Sequence, residues 1–169
     1  MTPCCVDTTS MSYLSPWNPF SEGDQIPKMQ VTTAFLQKGN EFLVLQRAKK
    51  DVQHQLWGIP GGKLDQGESP ITALVREIQE ETTIDLSRNV FQLLGTAMSH
   101  TPCDGQYGLY IYHTRIDQRV DVLINTTEHS AFRWVSIDEF ISLNLLTAQM
   151  DAFKLVEDKL KQTITSECL

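Results

Sequence analysis

Three carboxylates carry the chemistry this chain advertises. Glu77, Glu80 and Glu81 stand at i, i+3 and i+4, and on a helix those positions share one face. Like charges at such spacings repel by roughly 0.2–0.5 kcal/mol per pair. A hard divalent cation would offset that repulsion, and carboxylate oxygens suit magnesium, manganese or calcium better than zinc.

The surroundings strengthen the reading. By itself an Arg-Glu-x-x-Glu-Glu run is most often a solvated helix face with local ion pairs. Here it follows a short strand-like segment Trp57–Pro60, the double glycine Gly61-Gly62 and an isolated acid, Glu68. Ser69 is placed to cap the helix and Pro70 suits its first turn. Ile71, Leu74, Val75 and Ile78 recur at helical spacing and predict an inward stripe. The acidic face lies beside that stripe, so the carboxylates are expected at the rim of the core.

These residues resemble a known signature. The stretch from Gly62 to Ile84 is similar to the Nudix box, G-x5-E-x7-R-E-U-x-E-E-x-G-U with U aliphatic. Gly62, Glu68, Arg76, Glu77, Ile78, Glu80, Glu81 and Ile84 fill its positions. Thr83 stands where the family has Gly. Because that Gly ends the helix in a left-handed conformation and Thr suits it poorly, a different helix end is expected. The lead-in Trp57-Gly58-Ile59-Pro60-Gly61-Gly62 and the strand Phe42–Arg47 also resemble the nucleotide-cleaving branches, and the similarity spans Val31 to about Leu146.

The resemblance implies a fold, an ion and roles. The fold is the Nudix α/β/α sandwich with a mixed β-sheet. The cofactor is Mg2+ or Mn2+. Glu77, Glu80 and Glu81 are implied metal ligands and catalytic acids, and Glu128 matches a further metal-binding Glu of MutT-like members. Any of the four is a candidate base. Gly61 and Gly62 let the backbone approach a metal or phosphate. Arg76 is expected to orient the acids, Glu68 to brace the loop rather than to ligate a metal through water, and Lys63 to reach a phosphate if it is not simply solvated.

Composition bounds the alternatives. The 169 residues suffice for one domain with a substantial core. The net charge of -7 argues against a DNA or RNA polymer as partner, but not against a small anionic nucleotide, since a bound cation reverses the local sign. No apolar run is long enough to span a membrane. Cys4, Cys5, Cys103 and Cys168 show no zinc-like spacing. With no secretory pattern in MTPCCVDTTS, a cytoplasmic chain with reduced thiols is expected.

Residues 1–27 read as an N-terminal arm or tail and 28–165 as a single domain. Tyr13, Trp17 and Phe20 are aromatic enough to dock on the domain or on a second subunit, which leaves a homodimer open. Strands are predicted at Val31–Gln37, Phe42–Arg47, Leu56–Ile59, Val90–Met98, Tyr107–Ile116 and Phe132–Val135, with a short one at Val120–Ile124. Ala48–Gln55 and Ser99–Gln106 read as loops. Besides the box helix, Ile137–Leu143 and Thr147 to about Gln162 read as helices. Strands flanking a mid-chain helix, with helices at the end, predict a layered α/β domain.

Other side chains are weaker candidates. His100, His113 and His129 are each most often structural when alone. Cys103 has no visible activating partner. Tyr107, Tyr110, Tyr112 and Trp134 are placed for core packing or for stacking on a base.

The expected activity is metal-dependent cleavage of the pyrophosphate bond in a nucleoside diphosphate linked to another group. A modified or ordinary nucleoside triphosphate leads as substrate. The alternatives are an ADP-ribose or nucleotide-sugar pyrophosphatase and a non-catalytic nucleotide sensor.

Overall fold

A computed structural model describes residues 12–49, 55–87, 90–102, 105–117 and 119–166. All four cysteines, and most of the expected loop Ala48–Gln55, lie outside the described residues. The strands are β1 (Tyr13–Pro16), β2 (Gln30–Lys38), β3 (Glu41–Arg47), β4 (Trp57–Gly58), β5 (Gly61–Lys63), β6 (Gln92–Thr101), β7 (Gly105–Arg115) and β8 (His129–Val135). The helices are α1 (Pro70–Thr82), α2 (Ile137–Ser142) and α3 (Gln149–Thr165). Among the described residues no helix is long and apolar enough to cross a membrane.

The sheet is mixed, in the order β1-β6-β7-β2-β3-β4, with β5 also on β2 and β8 on β3. At its centre β2 runs parallel to β7 from Gln30↔Gly108 to Gln37↔Arg115. On its other side β2 is shared: Val31–Thr33 pair with β5, whereas Gln37 and Lys38 pair with β3. This split opens the sheet between β3 and β5 and leaves the glycines of β5 lying against α1.

Alternation along the strands sorts the core into two faces. Phe35, Phe42, Val44, Leu109 and Ile111 point to one side and pack with Phe140, Phe153, Val156 and Leu160 of α2 and α3. Ala34, Leu36, Leu43, Leu45, Tyr110 and Tyr112 point to the other and meet Leu74 and Ile78 of α1. Burial of each Leu or Ile of α1 stabilises by roughly 1.5–3 kcal/mol, which fixes the helix and the acids it carries. The result is three layers, helix–sheet–helix. Tyr110 and Tyr112 are core residues, and Trp134 lies beneath the Lys38 ammonium on the surface.

Several elements differ from expectation. Residues 13–16 of the expected arm form β1, antiparallel to β6, and the Trp17 indole that follows is buried edge-on to Tyr110. The segment expected as the loop Ser99–Gln106 is mostly strand, because β6 and β7 stay paired from Gln92↔His113 to Thr101↔Gly105. Val120–Ile124 is no strand; Leu123 N–H instead donates to Thr82 C=O at the end of α1. Tertiary hydrogen bonds outweigh strand propensity there.

The end of α1 also corrects the sequence reading. Thr83 adopts the left-handed conformation itself, at φ 60°, ψ 6°, and its N–H caps Gln79 C=O. A β-branched residue held there is strained by roughly 1–2 kcal/mol, partly returned to Gly variants as chain entropy. Thr83→Gly is therefore expected to stabilise the protein by about 0.5–1 kcal/mol, measured as a rise in the urea midpoint at unchanged slope. A destabilised variant would show that the Thr83 hydroxyl, which donates to Thr82 C=O, outweighs the strain.

Burial, with a smaller contribution from Arg115, depresses the pKa of His113 to about 4, and its Nε2 sits 2.7 Å from Gln37 Oε1. The unfolded imidazole takes up its proton near pH 6.5. The stabilising effect is therefore complete above that pH and is lost as pH falls towards 4. Between pH 7.5 and 5 the loss amounts to about 2 kcal/mol. Urea titrations of wild type and His113→Asn at both pH values should differ by that amount, and parallel behaviour would refute the assignment.

Candidate functional site

The box folds into a tight cradle of backbone and carboxylate. Ser69 Oγ accepts from Thr72 N–H, and Pro70 opens α1 as its first residue. Ala73, Leu74 and Ile78 are buried, while Ile71 and Val75 are only half-buried, so the inward stripe is narrower than the sequence suggests.

Arg76 organises the acids. Its Nε donates to Glu68 Oε1 at 3.1 Å, and its Nη2 to Glu68 Oε2 at 2.9 Å and to Lys63 C=O at 3.1 Å. Its Nη1 donates to Glu77 Oε1 at 2.8 Å and to Glu80 Oε2 at 3.3 Å. Every N–H of the guanidinium thus has an acceptor, the fork geometry at which Arg exceeds Lys. Hydrogen bonds to Glu68 and then to Glu77 raise the Arg76 pKa above its usual range. The Glu68 carboxyl is held below the usual range by Arg76 and by the Asp65 N–H. With both oxygens engaged on Arg76, Glu68 braces the loop between β5 and α1.

The three helix acids differ in depth. Glu80 is the outer one, its side chain 57% exposed. Glu77 is largely covered, and burial pushes its carboxyl pKa up against the opposing pull of Arg76. Glu81 is only 4% exposed. Its Oε2 accepts from Gly61 N–H at 3.0 Å and its Oε1 from His129 Nε2 at 2.9 Å. A carboxylate can be buried only when such donors compensate it.

The double glycine makes this geometry possible. A Cβ on Gly61 would lie 2.1 Å from Thr32 C=O, and its φ of +146° is one that side chains rarely adopt. A Cβ on Gly62 would lie 2.3 Å from the carboxyl carbon of Glu77. The backbone of β5 therefore presses directly on the acids.

Glu128 arrives from the far side of the chain, exposed, with Oε1 accepting from Asn125 Nδ2 at 3.0 Å. Ligand atoms of Glu81, Glu128 and His129 all lie within 4.8 Å of one another. The donor set is rich in hard oxygens around a partly dry carboxylate, and it fits a divalent cation. Two partners escaped the sequence reading. His129 was set aside as a lone histidine, although it directly follows Glu128. Asn125 gave no signal, yet its N–H donates to Glu81 C=O and its C=O accepts from the N–H groups of Glu128 and His129. Neither His100, stacked on Tyr13, nor His113 joins the cluster.

A cavity of about 340 Å³ adjoins the cradle and shares Gly61, Gly62 and Lys63 with it. Met29, Val31, Ile59, Tyr107, Leu109 and Leu146 give it apolar walls, and Arg47, Thr147 and Gln149 add polar groups.

The family model described as the NUDIX domain matches residues 27–158. The chain is 25% identical over 142 residues to an RNA pyrophosphohydrolase of Pelagibacter ubique, covering 76% of this chain and 88% of the relative. It is 33% identical over 119 residues to the asymmetrical bis(5'-nucleosyl)-tetraphosphatase of Rattus norvegicus, covering 70% of this chain and 75% of the relative. The crystal structure of a MutT protein from Methanosarcina mazei superposes with a TM-score of 0.66 at 22% identity, over 82% of this chain and 96% of that one.

Proposed function

The chain belongs to the Nudix family, and from that premise we propose that it hydrolyses the pyrophosphate bond of a nucleoside triphosphate, with magnesium or manganese held by Glu77, Glu80, Glu81 and Glu128. The observation that carries this reading is the cavity of about 340 Å³ beside the carboxylates. It is large enough for one nucleoside, and its lining sets the apolar Met29, Val31, Ile59 and Leu109 beside the polar Thr32, Thr33, Lys63 and Gln149. A nucleoside seated there would direct its phosphates over Gly61, Gly62 and Lys63 towards the acids.

A pyrophosphate linkage resists attack because its own charge repels nucleophiles. A divalent cation bound by these acids supplies Lewis acidity for the phosphoryl oxygens and for water. The chain provides the remaining parts. Arg76 holds Glu68, Glu77 and Glu80 in one arrangement, so that no reorganisation is required when substrate arrives. Gly61 and Gly62 admit phosphate close to the backbone. The proton released by the attacking water passes to one of the four carboxylates Glu77, Glu80, Glu81 and Glu128. Tyr107 offers its ring to a base at the cavity wall.

A second reading is supported by the rat relative, whose name gives a dinucleoside tetraphosphate as its substrate. The test is product release from a panel of nucleoside triphosphates, dinucleoside polyphosphates, ADP-ribose, nucleotide sugars and a 5'-triphosphorylated RNA oligomer, with and without Mg2+. Metal-dependent cleavage of triphosphates above the others is expected. Preference for another class would replace the proposed substrate. Binding without cleavage, unaltered by Glu80→Gln, would establish a sensor instead of an enzyme.

A further inference from the structure

His129 touches the cluster without an assigned task. It opens β8, is 3% exposed, and its Nε2 lies 2.9 Å from Glu81 Oε1. An ionised carboxylate only accepts, so the imidazole donates from Nε2. Its Nδ1 is equally buried and has no hydrogen-bond partner. The polar side of this ring is therefore spent on Glu81 alone. For packing by itself an apolar residue would serve better, because it would leave no buried nitrogen unpaired.

The ring is also held from behind. Asn125 C=O accepts the N–H of His129, and Asn125 N–H donates to Glu81 C=O. One residue thus ties the start of β8 to the last turn of α1 and fixes the imidazole relative to the carboxylate. Gly61 N–H holds the other oxygen of Glu81 at 3.0 Å. The carboxylate is gripped from two strands, and each oxygen retains a lone pair.

We propose that His129 is a positioning residue for metal binding: its Nε2–H holds the Glu81 carboxylate in the orientation that receives a divalent cation. This inference rests on the metal-dependent reading of the cluster. Hydrogen-bonded partners of metal ligands change metal affinity by 10–100-fold when they are removed.

Mn2+ binding to the nucleotide-free protein, followed by electron paramagnetic resonance, tests it. His129→Phe is expected to weaken Mn2+ by about 10–100-fold. His129→Gln, which can return an N–H to Oε1, should recover most of that loss. With Mn2+ saturating, the KM for nucleotide should be unchanged in both variants. Glu81→Gln separates the two layers of the argument. If it binds Mn2+ like wild type, the metal reading falls and the inference falls with it. If Glu81→Gln loses binding while His129→Phe retains it, the role of His129 alone is overturned. A loss in His129→Phe that His129→Gln does not restore would assign the effect to packing, and would also overturn it. The unmodified protein gives an independent readout. Imidazole nitrogen spectra should show an Nε2–H tautomer at His129, with signals that move on Mg2+ addition while those of His113 stay fixed. An Nδ1–H tautomer, or no movement, would count against the proposal.

Discussion

Glu81→Gln is expected to lower kcat by about 10³-fold, close to 4 kcal/mol of transition-state stabilisation, while the chain still folds. Glu81 is the deepest of the acids and the one with both oxygens already held, by Gly61 N–H and by His129 Nε2. Glutamine is nearly isosteric but uncharged. It retains one acceptor oxygen for two donors, and it turns an amide N–H group towards whichever donor is left over. Two consequences follow together: the negative charge that would hold a cation is lost, and the side chain must rotate to escape the donor–donor contact. Mn2+ affinity should fall with kcat, and circular dichroism should remain that of the wild type. A variant within tenfold of wild-type kcat would mean that Glu81 is a structural carboxylate and that the working acids are the outer ones.

Gly61→Ala should have the largest effect on the fold. The added Cβ would meet Thr32 C=O at 2.1 Å and Thr33 Cα at 2.6 Å. Both are backbone atoms of the central strand β2, paired on its other side with β7 from Gln30↔Gly108 to Gln37↔Arg115, so neither can yield. Steric overlap and the unfavourable φ each cost on the order of 1–3 kcal/mol, and a combined loss of about 3–5 kcal/mol falls in the exceptional range for one substitution. Gly62→Ala provides the contrast. Its Cβ would meet the Glu77 carboxylate at 2.3–2.5 Å, a side chain that can swing aside. That variant should keep most of its stability and lose activity, because Glu77 leaves its place under Arg76. Urea unfolding of the two variants decides the matter: similar midpoints would refute the distinction between an immovable and a movable neighbour.

The box itself was legible in the sequence because its information is local. Helical spacing puts Glu77, Glu80 and Glu81 on one face whatever the rest of the chain does. Ser69 and Pro70 announce the start of α1, and Gly61-Gly62 announces a close approach. The order of elements, strands on both sides of a mid-chain helix with helices at the end, likewise predicted a layered α/β domain. The end of α1 was read less well. Propensity argued against Thr83 at positive φ, yet Leu123 N–H on Thr82 C=O and Asn125 N–H on Glu81 C=O hold the last turn in place, and the strain at Thr83 is absorbed.

The order within the site was a matter for tertiary structure alone. In the sequence the three helix acids are equivalent. Only the packing of α1 on the sheet makes Glu81 buried, Glu77 half-covered and Glu80 open to solvent. Only the pairing of β8 with β3 brings His129 to Glu81 across 48 residues of chain. The cavity beside Lys63 is likewise assembled from β2, β3, β5, β7 and the turn before α3. Spacing along the chain fixes which residues share a helix face. Depth, solvation and long-range partners depend on what packs against that face, and no local pattern records them.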